Sequence, residues 1–522
     1  MPSALAASSL SRLLGIWNHG VSPAYRELAQ VIRLLILDGR LPLGTALPSE
    51  RSLAETLGLS RTTVTAAYAE LRREEFIAGP QGGRARTCVP GTLGSSYSAT
   101  RQNARPPTAK SHRAMGDGGT YLSAAVGLSG APGLAPPEGV IDLAYASLPA
   151  SGEVVHRGFA AALTELPALL PGFGYDALGL PALRQAVADY YAAQSVPTDA
   201  SQLIITSGAQ HALNVILRTF AGRGAKVLVD HPSYPNALDA INAAGCRALP
   251  VPLAKDPNQG WDVPALEEAL AQHKPALAYL VPDFHNPTGR LMTDSQRRRV
   301  VRAAAASGTV LVIDETLREV NLDGVSAAPM SSFGTEVLSI GSLSKSHWAG
   351  LRVGWIRASS ATIQRLAAAR TPMDLGGPVV DQLAATHLVR ELREPLPARL
   401  NQLRRNRDSL MELLAEHLPT WRPERPGGGL TVWCALPGEL STALTVLGPE
   451  YGIRLAAGPR FGIGGAFERH LRLPFTLPAE QLREAVLALK EMQARLETAP
   501  KLRASLSKSS TQDITERPAA IA

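Results

Sequence analysis

The spacing of apolar residues divides the chain into two parts. Before residue 90, apolar residues such as Leu28, Val31 and Ile32 recur only at the spacing of a helix face. Beyond residue 138, short β-branched runs alternate with helical stretches of about ten residues or more. This alternation predicts βαβ units, and therefore an α/β fold with a largely parallel sheet. The β-branched runs are LIITS, KVLVD, ALAYLV, TVLVID and VLSIG.

A stretch rich in Gly, Ser, Ala, Pro and Thr separates the two parts, from Pro90 to about Glu138. It carries basic residues and almost no acidic ones, which predicts a flexible linker with a mild attraction for phosphate. After about Glu497 the apolar periodicity is lost again, which predicts a disordered tail. We therefore expect domains over residues 1–89 and 139–497, a linker over 90–138 and a tail over 498–522.

Composition narrows the class of protein only slightly. The net charge of +7 and the pI of about 9.4 favour an acidic partner such as nucleic acid, although arginine-rich enzymes share such values. The three cysteines, Cys88, Cys246 and Cys434, are far apart, so neither a disulfide framework nor a zinc site is predicted. Neither a signal peptide nor an apolar run of about 18 residues is visible. We therefore expect a cytoplasmic protein without a membrane span.

Capping residues before the linker predict two short helices joined by a turn. Ser49 can cap a helix that stops at Gly58, and Ser60 can cap the next helix, which begins at Arg61. The arrangement is a helix-turn-helix, in which the second helix contacts base edges with its first residues. Because arginine is the usual partner of guanine, Arg61 is the first candidate for base contact.

The alternative is that Ser60, Thr62 and Thr63 only cap the helix and Arg61 is solvated. The residues that follow favour DNA binding, because Phe76-Ile77 and the turn up to Arg84 predict a β-wing with a basic tip. From Tyr25 to Arg86 the sequence resembles the GntR-type winged helix-turn-helix. The resemblance implies that Arg51 and Arg61 contact phosphates or bases. It also implies support for these contacts from the hydroxyl groups at the start of the helix, and an approach to the minor groove near the wing tip. The implied DNA-binding residues are Arg51, Ser60, Arg61, Thr62, Thr63, Thr65 and Gly82.

The strongest chemical signal in the second part is the segment SIGSLSKSHWAGLRVGW, in which Lys345 follows a strand and Arg352 comes seven residues later. A lysine that forms a Schiff base needs a short, fixed loop, with hydroxyl and guanidinium groups that converge on an anion. Ser342 and Arg352 are candidates for that anion site. Alone the segment is a weak signal, since lysines beside serines are common on surfaces.

Two polar residues that follow strands strengthen the signal. Asp314 ends the strand TVLVID, where a buried carboxylate can pair with a protonated pyridine nitrogen; a helix cap is the alternative. Asn286 in PDFHNPTG can donate to a cofactor oxygen or a substrate carboxylate; an Asn-Pro turn is the alternative.

Three further segments complete the set. Gly208, Ala209 and Gln210 open a helix after a strand, so backbone N–H groups there can bind phosphate. Tyr234 can stack on a pyridine ring, and Arg472 can bind a carboxylate with two hydrogen bonds. Either of the last two residues alone is more often structural.

From about Asp142 to Met492, these motifs in this order resemble the fold type I enzymes of the aspartate aminotransferase superfamily, which bind pyridoxal phosphate. The resemblance implies a mostly parallel sheet and a smaller α+β C-terminal subdomain. It also implies a covalent cofactor lysine at Lys345, a pyridine partner at Asp314, and a contact from Tyr175 to the partner subunit's cofactor. The remaining implied roles are the 3′-oxygen for Asn286, ring stacking for Tyr234, the phosphate for Gly208, Ala209, Gln210, Ser342 and Arg352, and a substrate carboxylate for Arg472.

One position departs from that family. Shortly after the aspartate the family commonly has a tyrosine, whereas this chain has Thr316. The second phenolic donor to the 3′-oxygen is therefore missing, which predicts a site tuned away from fast transamination.

The fusion of a winged helix, a linker and an aminotransferase-like domain resembles the MocR subgroup of GntR-type regulators. It implies a homodimer that binds a double-stranded DNA operator and senses pyridoxal phosphate or an amino compound. One alternative is a working aminotransferase with an accessory N-terminal module. Another is a DNA-binding protein whose second domain binds no cofactor.

Overall fold

The computed structural model describes residues 5–14, 17, 23–37, 41, 45–74, 76–79, 85–88, 139–392 and 396–499. They belong to two compact units. The predicted wing tip with Gly82, the predicted linker and the predicted tail beyond residue 499 lie outside the described residues.

The N-terminal unit confirms the predicted helix-turn-helix. The side chain of Ser49 accepts a hydrogen bond from Ser52 N, and Gly58 ends that helix at φ +65°. The side chain of Ser60 caps the next helix by accepting from Thr63 N. Apolar faces of these helices share one core. The elements are α1 (Ala7–Leu14), α2 (Ala24–Leu37), α3 (Glu50–Leu57), α4 (Arg61–Arg73) and the antiparallel pair β1 (Ile77–Ala78) and β2 (Arg86–Thr87).

A seven-stranded sheet forms the centre of the second unit. Its strand order is β4-β10-β9-β8-β7-β5-β6, and β10 runs antiparallel to both of its neighbours while the other pairs are parallel. This arrangement confirms the predicted α/β fold and mostly parallel sheet. The strands are β4 (Leu203–Thr206), β5 (Lys226–His231), β6 (Arg247–Pro252), β7 (Leu277–Leu280), β8 (Val310–Asp314), β9 (Val337–Ser342) and β10 (Gly354–Arg357), preceded by the short β3 (Ile141–Asp142).

Helices accompany the sheet, and aliphatic residues of strands and helices form the buried clusters between them. The continuous β-branched runs of the sequence are explained by this burial, because strands covered on both faces need apolar residues at successive positions. The helices are α5 (Gly152–Glu165), α6 (Pro181–Ala192), α7 (Ala209–Phe220), α8 (Pro235–Ala243), α9 (Val263–His273), α10 (Asp294–Ser307), α11 (Ser360–Arg370) and α12 (Val379–Arg390).

The C-terminal part confirms the predicted α+β subdomain. An antiparallel sheet in the order β11-β12-β15-β14 packs with helices around a separate cluster of aliphatic residues. The helices are α13 (Leu396–His417), α14 (Ser441–Leu447) and α15 (Ala479–Thr498). The strands are β11 (Arg422–Glu424), β12 (Thr431–Ala435), β13 (Ile453–Arg454), β14 (Ala456–Ala457) and β15 (His470–Pro474), of which β13 pairs with β3.

The strand directions place the predicted chemical residues at one edge of the large sheet. Because β4 and β9 both run antiparallel to β10, β4 points the same way as the parallel strands. The carboxyl ends of β4, β5, β7, β8 and β9 therefore meet at one edge, where α/β proteins bind ligands. In the part of the chain that the structure describes, no helix has the length and apolar character needed to cross a bilayer.

Candidate functional site

Many of the residues predicted to bind the cofactor line one cavity at the carboxyl edge of the sheet. They come from the strand ends and from the start of α7, and the cavity wall also contains Thr316, Tyr279 and Leu430. Gly208 adjoins this cavity through Arg352, while Tyr175 lies elsewhere. The predicted residues in the wall are Ala209, Gln210, Tyr234, Asn286, Asp314, Ser342, Lys345 and Arg352.

Lys345 extends into this cavity from the loop after β9. Its Nζ donates a hydrogen bond to the carbonyl oxygen of Ala146 at 2.9 Å. Burial of the amine, together with the cations Arg472 and Arg352 and against the carboxylate of Asp314, lowers the pKa of Lys345 to about 8. A larger fraction of the amine is therefore unprotonated near neutral pH than in an ordinary lysine. The unprotonated amine is the form that attacks carbonyl groups.

Asp314 presents a buried carboxylate whose two oxygens both accept hydrogen bonds. Oδ1 accepts from Thr316 N at 2.9 Å, and Oδ2 accepts from the hydroxyl of Tyr279 at 2.6 Å. The residue is only 7% exposed. Tyr279 was not among the predicted site residues, although it is a tyrosine inside the aliphatic strand ALAYLV.

Asn286 and Tyr234 lie on the same cavity. Within the described residues, Oδ1 of Asn286 is buried without a hydrogen-bond partner. The hydroxyl of Tyr234 accepts from Nδ2 of Asn236 at 2.8 Å, and burial raises the pKa of Tyr234. Asn286 thus keeps hydrogen-bonding capacity in a buried place, which fits a polar ligand.

The turn before α7 is built for close approach to an anion. Gly208 has φ +89°, and a Cβ there would lie 2.8 Å from Nη2 of Arg352. The same Nη2 donates to the carbonyl oxygen of Ser207 at 3.0 Å. The side-chain amide of Gln210 donates a hydrogen bond to Asn236 O. The N-terminus of α7 can therefore bind an anion through its backbone N–H groups.

Two hydroxyl groups stand beside this turn. Oγ of Ser342 lies 2.8 Å from Oγ of Ser344 and 3.0 Å from the carbonyl oxygen of Val353, to which it donates. Together with Arg352 and the start of α7, they form a set of polar groups of the kind found around bound phosphate.

Arg472 is fully buried on β15 and incompletely paired. Nη2 donates to Ala144 O, whereas Nε and Nη1 are buried without a partner in the described parts of the chain. The guanidinium carbon lies 4.9 Å from the centre of the Phe461 ring, and burial lowers the pKa of Arg472 to about 10. Unpaired buried donors are costly, so they indicate a carboxylate ligand.

These groups fit pyridoxal phosphate. The phosphate matches the donors around Gly208 and Arg352, the ring nitrogen matches Asp314, and the aldehyde matches the amine of Lys345. When bound, the cofactor supplies an aldehyde for amines and an electron-withdrawing ring.

Tyr175 is not part of this cavity. It is 74% exposed, and its neighbour Phe173 is 98% exposed. The predicted contact with a partner subunit's cofactor therefore remains a prediction.

The predicted DNA-binding residues lie at the start of α4 and on α3. Arg61, Thr62 and Thr65 are exposed. Oγ of Ser60 lies 2.7 Å from Oγ1 of Thr63 and accepts from Thr63 N, so these two residues do cap the helix, as the alternative interpretation held. The cap leaves the exposed Arg61 at the helix N-terminus.

Two of these residues have acidic neighbours. The exposed Arg51 donates to Oε1 of Glu55 at 3.0 Å, and Thr65 donates to Oε2 of Glu50 at 2.8 Å. Since the ion pair of Arg51 is exposed and therefore weak, a phosphate can replace Glu55 at little cost.

Comparison with known proteins identifies both units. A family model for aminotransferase class I and II matches residues 173–489, and a model for bacterial regulatory proteins of the gntR family matches residues 24–86. The chain belongs to the class I and II aminotransferase family and carries a GntR-type helix-turn-helix in front of that domain, the architecture of MocR-type transcription regulators. The aminotransferase-like domain is of the pyridoxal-phosphate-dependent kind.

Relatives of both types match the chain. The uncharacterized HTH-type transcriptional regulator YdfD of Bacillus subtilis is 26% identical, over 91% of this chain and 98% of its own length. The 2-aminoadipate transaminase of Thermus thermophilus is 32% identical, over 57% of this chain and 77% of its own. The crystal structure of LysN, an α-aminoadipate aminotransferase from Thermus thermophilus complexed with N-(5′-phosphopyridoxyl)-L-leucine, is 29% identical with a TM-score of 0.62, over 68% of this chain and 94% of that one.

Proposed function

We propose that this protein binds operator DNA through its helix-turn-helix and senses pyridoxal phosphate or an amino compound through its aminotransferase-like domain. One observation carries the proposal: an exposed Arg61 at the start of α4 and a cavity that fits pyridoxal phosphate occur in the same chain. The regulator YdfD, which matches over almost its whole length, supports it.

The DNA partner follows from the exposed start of α4. A helix with arginine and threonine at its N-terminus suits the major groove, and Arg61 is the residue that we assign to base contact. The fusion to a DNA-binding unit also leads us to propose a cytoplasmic location.

An exposed apolar surface supports a homodimer. Leu170 is 67% exposed, and Phe173 and Tyr175 are exposed still further. Soluble monomers rarely expose clustered apolar side chains, so we assign this surface to contact with a second copy of the chain. A dimer presents two copies of the DNA-contacting helix α4, which suits two operator half-sites.

Lys345 and Asp314, which line the cavity, and Arg472, which is not in its wall, have separate roles in sensing. Lys345 supplies an amine that is readily unprotonated, Asp314 supplies the negative charge for the ring nitrogen, and Arg472 binds the carboxylate of an amino acid. A ligand that prefers one arrangement of the dimer shifts the population of DNA-binding forms by its differential affinity. Thr316 lines the cavity where a phenol would assist turnover, which favours sensing.

We expect Thr316→Tyr to raise transaminase turnover, because it restores a phenolic donor to the cofactor's 3′-oxygen. One charge-assisted hydrogen bond is worth about 1.5–3 kcal/mol, hence an increase of about tenfold or more. Turnover of amino acids with 2-oxoglutarate would be measured for the native protein and the variant. Thr316→Phe is the matched control, since it adds the ring without the hydroxyl and should give no increase. Equal turnover of native protein and Thr316→Tyr contradicts the hypothesis.

The second candidate is a working aminotransferase, favoured by the identity of 32% to a 2-aminoadipate transaminase. Steady turnover of an amino acid with 2-oxoglutarate, together with no salt-dependent binding to DNA upstream of its gene, would establish the enzyme. If the purified protein is colourless and takes up no pyridoxal phosphate, the chain is instead a DNA-binding protein whose second domain binds no cofactor.

A further inference from the structure

Tyr279 holds an unusual place beside the cofactor cavity. It pairs with Val312 across the parallel strands β7 and β8, two residues before Asp314. Residues two apart on a strand share a face of the sheet, so the side chains of Tyr279 and Asp314 are diagonal neighbours on one face. The tyrosine is 1% exposed, and its hydroxyl donates to Oδ2 of Asp314 at 2.6 Å.

Two groups donate hydrogen bonds to the carboxylate of Asp314 and together hold it in place. Burial alone favours the protonated form of a carboxyl group, whereas hydrogen bonds to the carboxylate favour the charged form. The phenol of Tyr279 and the backbone N–H of Thr316 each donate to one oxygen, which fixes the plane of the carboxylate. Only a charged, correctly aimed carboxylate pairs strongly with a protonated pyridine nitrogen.

The neighbouring side chains do not duplicate this contact. The hydroxyl of Tyr234 binds Asn236, that of Tyr191 donates to Glu315, and the amine of Lys345 donates to Ala146 O. Burial, and next the negative charge of Asp314, raise the pKa of Tyr279, so the phenol keeps the proton that it donates.

We propose that Tyr279 is a positioning residue of the cofactor site, which aims the carboxylate of Asp314 at the ring nitrogen of pyridoxal phosphate. The phenol missing at position 316 is thus not replaced by Tyr279, because its hydroxyl is committed to Asp314. The proposal rests on the cofactor site described above and adds a residue to it.

The test is a titration of cofactor-free, full-length protein with pyridoxal phosphate, followed by absorbance. We expect Tyr279→Phe to raise the Kd about tenfold, the size of one charge-assisted hydrogen bond to a buried group. Tyr191→Phe is the matched control, since Tyr191 is equally buried and donates to Glu315, which is not in the cavity wall. It should leave the Kd unchanged.

Repeating the titration in a variant that lacks the Asp314 carboxylate distinguishes a positioning role of Tyr279 from a packing role. If Tyr279 acts through Asp314, Tyr279→Phe should change the Kd less than twofold when Asp314 is already alanine. An unchanged Kd in Tyr279→Phe, or the same rise with and without Asp314, overturns the proposal. Thermal unfolding of each cofactor-free variant shows whether lost affinity merely follows lost folding, which also overturns it. Native protein that fails to bind pyridoxal phosphate would instead refute the proposed function itself.

Discussion

Lys345→Ala should abolish the visible absorbance of protein-bound pyridoxal phosphate. The lysine amine is the group in the cavity that can join the cofactor's aldehyde covalently, and burial prepares it for that role by lowering its pKa. The measurement is an absorbance spectrum of purified protein after incubation with the cofactor and removal of the excess. Non-specific DNA affinity should be unchanged, because the reading helix belongs to the other unit.

Lys255→Ala is the matched control for this experiment. Lys255 is exposed and absent from the cavity wall, so its loss should leave the spectrum unchanged. An undiminished cofactor spectrum in Lys345→Ala would show that another group holds the cofactor.

Arg61→Ala should strongly weaken specific operator binding and leave the cofactor spectrum intact. A bidentate arginine contact to guanine discriminates by about 1–3 kcal/mol, so the affinity for operator over unrelated DNA should fall about 5- to 150-fold. The measurement is the Kd for DNA upstream of the protein's own gene and for a scrambled duplex, at one fixed salt concentration.

Arg73→Ala serves as the control on the same helix. Arg73 is exposed at the other end of α4, about 18 Å along the helix axis from Arg61, where it pairs with Glu70. It should retain operator specificity. If Arg61→Ala binds the operator as the native protein does, the assignment of the reading helix is wrong.

The sequence contained enough to predict the secondary structure and the edge of the sheet that carries the site. Ser49, Gly58 and Ser60 are local capping signals, and local signals need no knowledge of the fold. Asp314 and Lys345 could be placed together because one ends a strand and the other follows a strand, and parallel strands end at a common edge.

Other features depend on information that the sequence does not carry locally. The contact between Tyr279 and Asp314 requires the register of β7 against β8, which strand periodicity leaves open. Which nitrogens of Arg472 lack a partner among the described residues depends on the packing around β15. The side chain of Tyr175 is exposed on its own chain, so its role depends on a second copy.

If occupancy of the cofactor cavity changes DNA binding, operator affinity should differ when it is measured with and without pyridoxal phosphate. Full-length protein would be titrated onto operator DNA in the cofactor-free form, in the cofactor-loaded form and in the loaded form with an amino acid. Allosteric coupling is typically 1–3 kcal/mol, so at least one pair of Kd values should differ by about fivefold or more. Lys345→Ala should abolish that difference. Equal operator affinity in all three forms, with the cofactor demonstrably bound, would contradict the account.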